Sequence, residues 1–86
     1  MVDYSITFAR SARKELEIID NKTIQKILSK IESLSNEPRP INCRKLHGEE
    51  NLWRIRIGDY RVIYSIYDKK QIIDIIAIRH RSEAYR

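Results

Sequence analysis

Apolar and polar residues alternate along this chain with two different periods, and the changes of period mark out its elements. Tyr4, Ile6 and Phe8 alternate with Asp3, Ser5 and Thr7, which predicts a strand with one apolar face. From about Arg10 to Asp20 the spacing becomes helical, with Ala12, Leu16 and Ile19 on one stripe. Asp20-Asn21 supplies a turn and an N-cap. A second helix follows, in which Ile24, Ile27, Leu28, Ile31 and Leu34 keep i, i+3, i+4, i+7, i+10 spacing. Ser35 through Pro40 ends it, because proline cannot extend the hydrogen-bond ladder.

The rest of the chain has strand character. Arg44 to Leu46 predicts a short strand, and 52–57 with 60–67 a hairpin around Gly58-Asp59, whose two-residue loop favours a glycine at positive φ. Lys69-Lys70 forms a second polar turn. Gln71 to Ile78 is apolar on both faces except at Asp74, as in a central strand. The order β-α-α-β-β-β-β predicts one small α+β domain over 1–86, an antiparallel-rich sheet with a helical hairpin on one face. The other face is left available for binding.

Composition narrows the partner. The net charge of +5 is uneven: residues 1–43 hold seven Lys/Arg against six Asp/Glu, and residues 44–86 hold ten against six. The basic excess therefore sits in the strand-rich half, and a nucleic acid is the expected anionic partner. Cys43 is the one cysteine, so no disulfide framework or thiol ligand set exists. The opening Met-Val-Asp-Tyr-Ser lacks the regions of a signal peptide, and no apolar run approaches the roughly 20 residues that span a bilayer. The expected location is the cytoplasm, with no membrane partner.

Residues 52–61 carry the chemistry. Trp53, Ile55 and Ile57 alternate with Arg54 and Arg56, so a strand sends the apolar side chains one way and the guanidiniums the other. Arg61 opens the next strand. Guanidinium forks bind phosphate oxygens bidentately, which suits a polyphosphate. Because a guanidinium stays protonated at any physiological pH, none of these arginines can act as a general base. No metal-ligand motif occurs, so neither a cofactor nor a metal is expected.

Three strings, read together, resemble the RelE/ParE toxin superfamily: Lys45-Leu46-His47-Gly48; Leu52-Trp53-Arg54-Ile55-Arg56-Ile57-Gly58-Asp59-Tyr60-Arg61-Val62-Ile63-Tyr64; and His80-Arg81-Ser82-Glu83-Ala84-Tyr85. The resemblance to the RelE branch implies a toxin of a type II toxin–antitoxin pair. Such a toxin is a ribosome-dependent, metal-independent endoribonuclease, an mRNA interferase that cuts mRNA in the ribosomal A site and stops translation. It implies a RelB-like antitoxin partner, and contact with operator DNA only through the toxin–antitoxin complex. The ParE branch implies the alternative, inhibition of DNA gyrase on the same fold.

Site residues follow from the same resemblance. Arg54 and Arg56 match positions where the RelE branch often has active-site lysines, and Arg61 matches an arginine on the scissile phosphate. Arg61 is also placed to pair with Asp59. Arg79 matches a further family arginine, His80 is the expected acid or base near neutral pH, and Tyr85 matches a tyrosine that stacks on an mRNA base. Lys45 and Arg81 are expected as peripheral RNA contacts, although Arg81 also suits a salt bridge to Glu83. His47 reads as a solvated loop residue. An unbroken last strand would send Arg79 and His80 to opposite faces, and a bulge or strand end at 78–80 would relieve that conflict.

Overall fold

Seven elements follow one another in the computed structural model, which describes residues 3–48 and 50–81: β1 (Ser5–Phe8), α1 (Arg10–Ile18), α2 (Asn21–Leu34), β2 (Cys43–Lys45), β3 (Trp53–Ile57), β4 (Tyr60–Tyr67) and β5 (Ile72–His80). The strands form one sheet in the order β1-β5-β4-β3-β2. Only the β1–β5 pairing is parallel, and β2–β3, β3–β4 and β4–β5 are antiparallel. This is the α+β arrangement expected from the apolar pattern. Among the described residues no helix is long and apolar enough to cross a membrane.

Local chemistry explains the boundaries. α1 stops at Ile18, two residues short of the expected end, because Ile19 and Asp20 are extended. That break frees the Asp20 carboxylate to accept the Thr23 N–H at 3.1 Å and cap α2. The Thr23 side chain, and next this backbone bond, hold the carboxyl below its usual pKa range. At the β3–β4 turn Gly58 has φ +58° while Asp59 stays at negative φ, the pattern of a type II′ hairpin. β5 runs two residues beyond the expected Ile78, because Arg79 and His80 pair with Arg61 and Tyr60.

Cross-strand partners share a face of the sheet and successive residues alternate. One face packs Ile55, Ile57, Val62, Tyr64, Ile66, Ile73, Ile75 and Ile78 against Ala12, Ile19, Ile27, Ile31 and Leu34 of the helical hairpin. Ile6, Phe8 and Trp53 border this core. Tyr64 is fully buried, so its hydroxyl donates to the Pro38 carbonyl at 2.8 Å. Burial pushes its pKa up, which keeps the hydroxyl a donor.

Two features position the opposite face. First, β5 carries a bulge: Ile63 pairs with Ala77 but Tyr64 pairs with Ile75, leaving Ile76 as an extra residue. The Ser11 hydroxyl donates to the Ile76 carbonyl at 2.7 Å, and the Ala9 N–H to that of Ile75 at 2.8 Å. Second, Arg39 forks onto the Asp68 carboxylate at 3.0 and 3.3 Å, and its guanidinium lies 5.0 Å from the Trp53 ring centroid. Tyr4 adds a hydrogen bond to Asp68 at 2.7 Å. The segment before β2 is thereby fastened to the sheet.

Candidate functional site

On the face away from the helices, register gathers five arginines: Arg44 pairs with Arg54, Arg56 with Arg61, and Arg61 with Arg79. Directly paired residues hold their Cβ atoms about 5 Å apart. Arg44, Arg54, Arg56 and Arg61, with Ile41, Asn42 and Cys43, line a cavity of about 650 Å³. Arg61 is its floor, only 7% exposed, whereas Arg54 is half-buried and Arg44, Arg56 and Arg79 are exposed. Arg56 donates from Nε to the Gly58 carbonyl at 3.2 Å, which aims its fork along the hairpin.

This concentration of like charge is electrostatically costly. The ion pair formed by Arg39 and Asp68 lies on another segment. Arg44, Arg54, Arg56 and Arg79 have no carboxylate partner among the described residues. Four guanidiniums crowded without a counter-charge among the described residues make a surface poised for an anion, with donors in forks that match phosphate.

The structure brings together Arg54, Arg56, Arg61 and Arg79, as the sequence predicts, and separates two other candidates from them. Lys45 pairs with Trp53, so it projects to the helix side of the sheet, and its ammonium lies 5.9 Å from the Trp53 ring. It is not part of the arginine face. His80 pairs with Tyr60 and packs edge-on to that ring at 5.1 Å, again on the helix side. The bulge lies at Ile76, upstream of where it would reunite Arg79 with His80, and strict alternation holds from Ala77 to His80. Its effect is to send Arg79 to the open face and His80 away from it. Arg81 is exposed and its N–H donates to the Asp59 carbonyl at 2.7 Å. Tyr85 and Glu83 lie outside the described residues.

Arg44 is the residue that the sequence reading missed. Adjacent residues of a strand cannot share a face, so only one of Arg44 and Lys45 joins the site. Apolar Cys43 points inward opposite Ile55 and fixes the choice in favour of Arg44.

A profile of the ParE toxins of type II toxin–antitoxin systems (ParDE) matches residues 6–85. The chain belongs to this toxin family. It is 28% identical over 86 residues to the mRNA interferase toxin RelE of Escherichia coli, covering 95% of this chain and 90% of that one. Toxin RelE of Mycobacterium tuberculosis is 30% identical over 84 residues, covering 96% and 87% respectively. A crystallised RelE–RelB complex from Pyrococcus horikoshii superposes with a TM-score of 0.81 at 31% identity, over 92% of this chain and 96% of that one. The matched span includes every arginine of the toxin's open face.

Proposed function

We propose that residues 1–86 act as one toxin domain that cleaves mRNA in the ribosomal A site, as an endoribonuclease of the RelE type held in check by a RelB-like antitoxin. The observation that carries this reading is the arginine face: one buried guanidinium flanked by four others, gathered by register on a rigid sheet. Resemblance to a toxin named mRNA interferase supports it, and structural likeness to a RelE–RelB complex supports the antitoxin partner.

Attack of a ribose 2′-oxygen on the adjacent phosphorus, with loss of its proton, breaks the P–O5′ bond to leave a 2′,3′-cyclic phosphate and a protonated 5′-hydroxyl, and it builds up negative charge on the phosphorane oxygens on the way. Preorganised guanidiniums stabilise that charge without reorganisation, typically worth about 100-fold or more per donor. Arg61 on the floor and Arg56 above it grip the scissile phosphate, while Arg54 and Arg44 hold the neighbouring backbone and Arg79 closes the far side. Arginine cannot take the 2′-hydroxyl proton, and His80 stands across the sheet. Catalysis therefore rests on alignment and charge stabilisation, with the Tyr85 phenol as the stacking and proton-handling group of the C-terminal motif. Arg81 serves as a peripheral backbone contact. Operator DNA is reached through the antitoxin complex.

The family profile bears the name ParE, so inhibition of DNA gyrase is the second reading, and one experiment separates the two. Programmed ribosomes are incubated with wild type, Arg56→Ala and Tyr85→Ala, and mRNA ends are mapped beside a gyrase–DNA cleavage assay. Ends within the A-site codon with wild type and their loss in both variants are expected. Intact mRNA with accumulated gyrase–DNA complexes would replace this reading with the second.

A further inference from the structure

On the reading above the arginine face holds an RNA backbone, and telling one base from its neighbours is left to other side chains. Of the three residues lining the same cavity that are not cationic, Ile41, Asn42 and Cys43, the first two are exposed. They are the central residues of a β-turn closed by the Cys43 N–H on the Pro40 carbonyl at 3.0 Å. Ile41 is fully exposed at 102%, with no apolar neighbour to cover it. The Asn42 carboxamide makes no hydrogen bond among the described residues. Asn51 shows the contrast, for its amide is committed at both ends to the Ile66 backbone, donating at 2.8 Å and accepting at 3.2 Å.

A turn that bears such side chains would ordinarily be loose, yet this one follows a pinned segment. Pro38 accepts from the buried Tyr64 hydroxyl, Arg39 forks onto Asp68 and lies over Trp53, and Pro40 begins the turn. Rigid support beneath an uncommitted amide and an uncovered aliphatic is how a recognition element is held in place.

We infer that the Pro40–Cys43 turn reads a nucleobase next to the phosphate gripped by the arginines, with Ile41 packing on the face of the base and Asn42 hydrogen-bonding its edge. Single-stranded RNA is recognised through splayed bases whose faces pack and whose edges are hydrogen-bonded. A carboxamide offers a donor beside an acceptor, whereas a carboxylate offers acceptors alone. The carboxamide matches adenine, whose N6–H and N7 set a donor beside an acceptor, and Asn42→Asp shifts the choice toward guanine, whose N1–H and N2–H present two donors. This inference rests on the RNA-cleavage reading of the arginine face.

The test uses ribosomes programmed with mRNAs randomised around the A-site codon, with ends mapped by sequencing for wild type, Asn42→Ala, Asn42→Asp and Ile41→Ser. Wild type is expected to favour particular bases at one position by about tenfold. Asn42→Ala is expected to flatten that preference while overall cleavage stays within about threefold, and Asn42→Asp to move it toward guanine. Ile41→Ser removes apolar area that would be buried against the base and is expected to raise KM about tenfold at unchanged kcat. Both positions are exposed, and Asn42→Asp preserves a turn-forming residue should the alanine variant fold poorly. A wild type that cuts with a preference unchanged in both Asn42 variants overturns the inference alone, as does a wild type that cuts without preference. A wild type that does not cut overturns the cleavage reading and this inference with it.

Discussion

The two faces of this sheet are made from alternate residues of the same strands, yet they solve opposite problems. Ile55, between Arg54 and Arg56, is 2% exposed and packs under the helices. Its neighbours face outward into a group of like charges. The covered face gains from every apolar atom removed from water, while the open face holds guanidiniums together against their mutual repulsion. Stability and recognition are thus separated by a single residue of alternation. A one-residue slip in β3 would bury Arg54 and Arg56 and expose Ile55 and Ile57 at once, so the apolar face enforces the register on which the basic face depends.

The comparison is broken most directly within β3. Ile55→Ala is expected to cost about 3 kcal/mol in urea unfolding, through lost burial and the cavity left behind. Arg56→Ala should change stability by no more than about 0.5 kcal/mol and lower cleavage about 100-fold. If Arg56→Ala unfolds the chain instead, the open face has a structural task and the contrast fails. Salt titrations of single-stranded RNA binding sharpen the same contrast. Arg44→Ala or Arg54→Ala should flatten the slope of log K against log salt by about 0.7, the value for one released counterion. Lys30→Ala, on the solvent side of α2, should leave it unchanged.

Ser11 tests whether the helix side controls the other face. Ser11→Ala removes the bond to the Ile76 carbonyl and is expected to cost about 1 kcal/mol. Amide exchange from Ile76 to His80 should quicken and cleavage should fall as Arg79 loses its fixed place. Unchanged exchange would show that the bulge needs no such support. The smallest effect concerns acid. Arg39 beside Asp68, and next the Tyr4 hydroxyl, hold that carboxyl below its usual pKa. A folded pKa below the unfolded value of about 3.9 means that the stabilisation is complete above that pH and is lost as pH falls through the folded pKa. Thermal melts of Asp68→Asn should therefore lie below wild type at pH 7 and converge with it at low pH.

Much of the covered face was legible in the linear pattern. The stripe Ile24, Ile27, Leu28, Ile31 and Leu34 forms α2, Asp20 caps it, and Gly58 turns the hairpin. The grouping of Arg54, Arg56 and Arg61 was equally accessible, since alternation along β3 and a two-residue turn leave little freedom in their placement. Lys45, expected as a peripheral RNA contact, lies off the arginine face because it pairs with Trp53 on the helix side of the sheet. Cys43, small and apolar, carried the parity signal for Arg44. His80 was a harder case. Its distance from the arginines depends on one inserted residue at Ile76, and a run of isoleucines on both faces hides a change of parity.

By itself, the sequence determined which segments are helical or extended and which side chains are worth burying, because those choices follow from local periodicity and from the aversion of isoleucine and leucine to water. Which of Arg79 and His80 reaches the site, and which of Arg44 and Lys45, was decided only in the folded sheet. Those outcomes depend on pairing between strands and on where a bulge is tolerated, and both are set by the packing of the whole layer against α1 and α2 rather than by any residue's neighbours in the chain.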